Sequence, residues 1–269
     1  MKLATYESWF DNEPIVPGDT LEARLAKLEE LGYDGIQIQR KTRADIGLDG
    51  IRRALKGSKI EVPVWGRGAT LLAAEPAARK QAVEDVKEGL REAADFGAMG
   101  SIFVPVRQPQ MAPPPPPKTL LELERETLME QLAEIVPVAE QVKVKLVLEP
   151  LNRYETHFIK HLETAAAICR EVGSPYLTFM ADFFHMNIEE VDLAKAIEAN
   201  ADYLSYVHLA DSNRYEPGAG HLDFRSPLAA LKRVGYDGWL TLECKILGED
   251  KAGGLASAAK VIRGLWAEV

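Results

Sequence analysis

Four strand-like runs in the second half of the chain each end in a residue able to bind a metal. "LVLE" ends in Glu149, "TFMAD" in Asp182, "SYVH" in His208 and "LTLE" in Glu243, each roughly one strand–helix unit after the one before. Three carboxylates and one imidazole make an oxygen-rich donor set. It suits a hard to borderline divalent ion such as Mn²⁺, Mg²⁺ or Co²⁺ better than a structural zinc, which prefers thiolates. Against a dication the three carboxylates leave a net charge of about −1, so one of them can carry a proton transiently. One acid at a strand end is ordinarily a loop residue, and a lone histidine is ordinarily a hydrogen-bonded core residue. Four matched ends on four successive strands are not explained that way.

Further polar residues follow these ends. "EPLNRYETHF" sets Glu155 and His157 after Glu149, and "DFFHMN" sets His185 shortly after Asp182. "VHLADSNRYEPGAGH" sets Arg214 and a glycine-bearing loop after His208. On loops above the strand ends, such side chains can hydrogen-bond sugar hydroxyls. His161, at a helix start, reads as solvated, and His221 reads as a turn residue. Trp9, Trp65 and Arg67 have no spacing that separates them from core or turn residues. Cys244 follows Glu243 directly, so strand alternation points it to the opposite side, into packing.

The elements that must position these residues alternate from end to end. Strands are expected at Lys2–Tyr6, Gly35–Gln39, Ile60–Trp65, Ser101–Val106, Lys145–Glu149, Leu177–Asp182, Tyr203–Leu209 and Trp239–Glu243. Their continuous apolar, β-branched character suits strands covered on both faces, as in a parallel sheet. Between them "TLEARLAKLEELGYDG" and "SPLAALKRVGYDG" repeat leucine at helical spacing and close on glycine. "LGYDG" recurs as "VGYDG", with "FGAMG" a looser version, and each marks a helix-to-strand turn. About eight such units in a chain near the ~250 residues typical of the fold predict an α/β protein, a (β/α)8 TIM barrel forming a single domain over residues 1–269. An open doubly wound sheet is the competing architecture, but "YESWFDNEP" after the first strand is not its glycine-rich phosphate turn. The proline run Pro113–Pro117 is expected inside one long strand-to-helix loop and not at a domain boundary.

Composition excludes several classes. The 46% hydrophobic content of 269 residues is enough for a substantial core. The net charge of −9, from 41 acids and 32 bases, argues against an extended nucleic-acid surface. No apolar run approaches the ~20 residues of a membrane span, and "MKLATYESWF" lacks the apolar region of a signal peptide. Cys169 and Cys244 lie far apart and are expected as reduced thiols, which points to a cytoplasmic protein.

With these residues in place the chain resembles the xylose-isomerase-like barrel superfamily of sugar isomerases and epimerases, and within it the D-tagatose/D-psicose 3-epimerase group. The resemblance rests on "LEPLNRYETH", "ADFFHMNIEE", "HLADSNRYEPGAGHLDF" and "GYDGWLTLE", roughly the C-terminal half. It implies an isomerase of carbohydrate metabolism holding one divalent ion, with manganese favoured over Co²⁺ or Mg²⁺, on Glu149, Asp182, His208 and Glu243. It implies Glu149 and Glu243 as the acid–base pair, with Glu155, His185 and Arg214 contacting a small ketose that reacts through an enediolate. It also implies a homodimer or homotetramer with no nucleic-acid or membrane partner. If a single acid moved the proton between adjacent carbons, the same centre would be a 1,2-isomerase. Related alternatives are a hydroxypyruvate isomerase, an inosose dehydratase or a sugar-phosphate isomerase, the last prompted by Lys245 and Lys251 in "CKILGEDKAGG". An abasic-site endonuclease-type barrel would need further metal ligands, and the chain has no histidine before His157.

Overall fold

The computed structural model describes residues 1–9 and 13–269. Ten strands and nine α-helices are described in it. In chain order they are β1 (Lys2–Tyr6), β2 (Ser8–Trp9), β3 (Glu13–Pro14), α1 (Leu21–Glu30), β4 (Gly35–Gln37), α2 (Arg40–Leu55), β5 (Val64–Trp65), α3 (Pro76–Asp95), β6 (Gly100–Phe103) and α4 (Leu120–Val142). There follow β7 (Lys145–Leu148), α5 (Leu162–Val172), β8 (Leu177–Asp182), α6 (Phe183–Glu189), α7 (Leu193–Ala199), β9 (Leu204–Leu209), α8 (Arg225–Arg233), β10 (Trp239–Leu242) and α9 (Lys251–Glu268). Eight strands form one sheet in the order β4-β1-β10-β9-β8-β7-β6-β5, and every recorded pairing between them is parallel. Glu61, just ahead of β5, bridges to Gly35 of β4 in parallel. Helices alternating with these strands make the (β/α)8 TIM barrel that the sequence predicts.

The chain falls into two compact units, Met1–Pro63 with Asp182–Ala199 and Tyr206–Val269, and Val64–Ala181 with Asn200–Ser205. In the first, β1 is flanked by β10 and β4, in the registers Thr5↔Leu242 and Thr5↔Ile36, and β10 carries Thr241 opposite His208 of β9. Thr20 starts α1 by accepting the Ala23 amide at 3.2 Å. The inner stripe of α1 buries Leu21, Leu25 and Leu28, each leucine worth roughly 2 kcal/mol against exposure. Buried Glu7, just beyond β1, ties down the next two helices. Its carboxylate takes Arg24 of α1 at 2.8 Å, Thr42 of α2 at 2.6 Å and the Gln39 amide at 3.0 Å.

In the second unit β5, β6, β7 and β8 pair in succession. α4 opens with a capping box in which Thr119 and Glu122 satisfy one another's backbone amides. The proline run lies inside this unit, between β6 and α4, so it marks no boundary.

The repeated glycine of the helix-to-strand turns has a packing cause. A Cβ on Gly35 would sit 2.6 Å from the Trp239 ring and 3.0 Å from the Glu61 carbonyl. One on Gly100 would sit 2.7 Å from Val147 and 3.0 Å from the Lys145 carbonyl. Strand neighbours approach these positions too closely for any side chain.

Several strands are shorter than expected. Gln39 gives its amide to the Glu7 side chain and leads into α2, so β4 stops at Gln37. Pro63 has no amide to donate, and β5 begins only at Val64. The β2–β3 hairpin, with Trp9 opposite Glu13, was not foreseen.

Candidate metal and acid–base centre

Asp182 is both the last residue of β8 and the N-cap of α6. Its Oδ1 accepts the Phe184 amide at 2.8 Å and the His185 amide at 3.4 Å, the ordinary work of an aspartate at a helix start. That leaves Oδ2 turned toward His185 Nε2 at 3.6 Å, His208 Nδ1 at 3.8 Å and Arg214 Nη2 at 3.1 Å.

His208 points inward from β9 and is wholly buried. Its ring meets Tyr6 and Tyr206 edge-on at 5.4 and 5.3 Å between centroids. On one side Nε2 lies 3.3 Å from Gln37 Oε1, and on the other Nδ1 lies 3.3 Å from Glu243 Oε2. An amide oxygen only accepts, so Gln37 holds a proton on Nε2, and Nδ1 faces the carboxylates. Metal-binding histidines are oriented in this way by a partner on the far ring nitrogen.

Glu243 follows β10, and its amide donates to Leu209 O at 3.0 Å. Its carboxylate is bound by Arg214 Nη2. Arg214 sits at φ +63°, reaches Asp182 Oδ1 through Nη1 at 3.3 Å, and lies over the rings of Phe184 at 4.4 Å and Trp9 at 5.5 Å. Burial alone would raise the Asp182 carboxyl, but the Arg214 charge, with His185 and His208, outweighs it and holds the group well below the usual range. The same opposition of burial against Arg214 and His208 leaves Glu243 lowered. Both acids are therefore anionic near neutrality.

One donor atom from each of Asp182, His185 and Glu243 lies within 4.8 Å of the others. Two carboxylates with one imidazole at this spacing, and the His208 imidazole beside them, fit a divalent ion of the oxygen-and-imidazole class, with no thiolate among them. His185 thus stands beside the donors as well as at the place where a substrate contact was expected.

In the second unit Glu149 follows β7, is buried, and donates its amide to Phe103 O at 3.1 Å. Glu155 is held by Arg107 at 2.8 Å and by Asn152 at 3.1 Å. His157, grouped with Glu155 in the sequence, is engaged elsewhere, with Nε2 2.7 Å from fully buried Glu124 of α4. Trp65 and Arg67 both bind Glu92, at 2.9 Å for the indole and 2.9 and 3.1 Å for the guanidinium, which makes them structural.

Of the remaining residues, His161 is the N-cap of α5, and His221 Nδ1 meets Ser212 Oγ at 3.0 Å. Lys251 binds Glu13 at 3.2 Å and Ile246 O at 2.7 Å, while the Gly253 amide at the start of α9 is taken by Asp250. The phosphate cradle suggested by these lysines and glycines is therefore occupied by the protein's own groups. Cys244 is fully buried, as packing requires. Gln37 escaped the sequence reading although it carries the same signal as the acids, a polar residue closing an apolar strand.

The family described as "Xylose isomerase-like TIM barrel" matches residues 25–265. The chain belongs to that family. It is 31% identical over 257 residues to the 3-dehydro-D-guloside 4-epimerase of Escherichia coli (strain K12), covering 94% of this chain and 95% of that one. It is 30% identical to an L-ribulose 3-epimerase of Mesorhizobium japonicum, covering 92% and 83%. Among solved structures, the apo 3-keto-D-glucoside 4-epimerase from E. coli superposes with a TM-score of 0.85 at 28% identity, over 98% of this chain and 99% of that one. By this kinship the chain is an enzyme of the isomerase class. Among the described residues no helix is long and apolar enough to cross a membrane.

Proposed function

We propose that the protein is a divalent-metal-dependent epimerase of small keto sugars. The observation that carries the proposal is the grouping of Asp182, His208 and Glu243, with Gln37 fixing the imidazole, at the ends of three strands adjacent in the sheet. Glu149, which ends the next strand, completes the donor set in this reading. Manganese is the proposed ion, with Co²⁺ or Mg²⁺ as alternatives, because the donors are mainly carboxylates.

A carbon acid beside a ketone is too weak for a lone carboxylate base. A divalent ion held by these residues would polarise that carbonyl and stabilise the negative charge that develops on it. The chain supplies the proton transfers. In this reading one of Glu149 and Glu243 removes the proton and the other delivers one to the opposite face, which inverts the carbon. Arg214 keeps Asp182 and Glu243 ionised and contacts the sugar. Glu155 and His185 hold hydroxyls.

The relatives' names support a common step. A 3-dehydro sugar inverted at C4 and a ketulose inverted at C3 both react at the carbon beside the ketone. Engagement of the α9 amides by Asp250 favours an unphosphorylated substrate. We further propose that residues 1–269 act as one barrel domain in a cytoplasmic homodimer or homotetramer. The test is product analysis by NMR over a panel of ketoses, 3-keto glycosides, aldoses and their phosphates, with Mn²⁺ added. Inversion beside a ketone supports the reading, and a sole aldose or dehydrated product overturns it.

A further inference from the structure

We infer that Asp211 is the residue that positions Arg214. This rests on the reading above, in which Arg214 lies between the centre and the sugar. Asp211 follows β9 and is 1% exposed. Its carboxylate is used entirely to fold a loop. Oδ1 accepts the amides of Ser212 at 2.7 Å and Leu222 at 3.0 Å and the Ser212 hydroxyl at 3.2 Å, while Oδ2 accepts the Gly218 amide at 2.9 Å. Its backbone closes the tight turn around Arg214. The Arg214 amide donates to Asp211 O at 2.9 Å, and the Asp211 amide donates to Tyr215 O at 2.9 Å. On the far side the Lys245 amide donates to Arg214 O at 2.9 Å, two residues beyond Glu243.

Arg214 therefore has its backbone fixed between the strand end carrying Asp211 and the strand end carrying Glu243. This explains how a non-glycine residue is kept in the left-handed region at φ +63°. A guanidinium bridging two carboxylates needs its backbone held to within a fraction of an ångström, and that placement is what Asp211 provides. Gly220 shows how tightly the loop closes. A Cβ there would sit 2.2 Å from Asp211 Oδ1.

The test is a double-mutant cycle of Asp211→Asn with Arg214→Ala, read in kcat/KM, beside amide hydrogen exchange on the same proteins. Asparagine keeps the size but turns an NH2 toward amides that the carboxylate accepted. Asp211→Asn should lower kcat/KM roughly 10- to 100-fold in the wild-type background. In the Arg214→Ala background it should cost less than about 3-fold. The amides of Arg214, Gly218 and Leu222 should exchange faster, while those of β9 and β10 stay protected. Equal losses in both backgrounds would mean that Asp211 acts by another route and would overturn the inference. So would unchanged exchange at Arg214. Should Asp211→Asn fail to fold, Gly220→Ala displaces the same carboxylate and carries the same expectations. A wild-type protein that inverts no keto sugar defeats the functional proposal instead, and the exchange measurement still decides for or against Asp211.

Discussion

His208 Nε2 lies 3.3 Å from the side-chain oxygen of Gln37, on a strand three places away in the sheet, while Nδ1 faces Glu243 at 3.3 Å. The first contact decides what the second can be. An imidazole whose far nitrogen donates to an amide oxygen offers a lone pair to whatever the carboxylates hold. Replacing Gln37 with leucine keeps the bulk and removes the acceptor. We expect Mn²⁺ affinity to fall by about 10- to 100-fold, with activity partly recovered at high Mn²⁺. Calorimetric titration checks this, and unchanged affinity would show that Gln37 does not orient a ligand.

His185 and His208 both approach Asp182 Oδ2, at 3.6 and 3.8 Å, so proximity alone does not separate their roles. The Gln37 contact favours His208 as the ligand. His208→Ala and Asp182→Ala should therefore lose bound Mn²⁺. His185→Ala should keep occupancy close to wild type and raise KM. Elemental analysis of purified variants distinguishes these, and a metal-free His185→Ala protein would make His185 a ligand.

Both cysteines are fully buried, and burial pushes the Cys169 thiol up to about 12 and raises Cys244 as well. A raised thiol pKa means the unreactive neutral form at pH 8. We expect neither cysteine of the native protein to react with a thiol reagent at that pH, and both to react after unfolding in guanidinium. Rapid labelling of one cysteine in the native state would contradict the burial.

Gly100 is predicted to be irreplaceable on packing grounds. An alanine methyl would lie 2.7 Å from Val147 and 3.0 Å from a backbone carbonyl. Gly100→Ala should destabilise the protein by about 1–3 kcal/mol, seen as a lower urea midpoint with an unchanged slope.

The fold was legible because its signals repeat. Two of the eight barrel strands, Lys2–Tyr6 and Leu177–Asp182, match their expected bounds. The other six begin or end within a few residues of them. The acids that close three strands were visible because a charged residue after an apolar run is conspicuous. Gln37 does the same at β4 but is neutral, and nothing in a single sequence separates it from an ordinary loop amide. Asp211 was hidden for a different reason. Its role lies in backbone amides at Ser212, Gly218 and Leu222, and main-chain donors leave no mark on residue type. The β2–β3 hairpin is two residues per strand, too short to show a period. His157 was grouped with Glu155 by adjacency, whereas its partner Glu124 comes from the preceding helix, 33 positions away.

The central claim is that Glu149 and Glu243 transfer protons from opposite sides of a carbon next to a ketone. The variants Glu149→Gln and Glu243→Gln should each lose activity by roughly 100-fold or more, since each lacks one of the two acid–base groups. The most direct measurement is turnover of a keto sugar by the wild-type, Mn²⁺-loaded protein in D₂O, followed by NMR. The account predicts a keto-sugar product with solvent deuterium at the inverted carbon, because the group that delivers the proton is not the one that removed it. An aldose product that keeps the substrate's own hydrogen would contradict it.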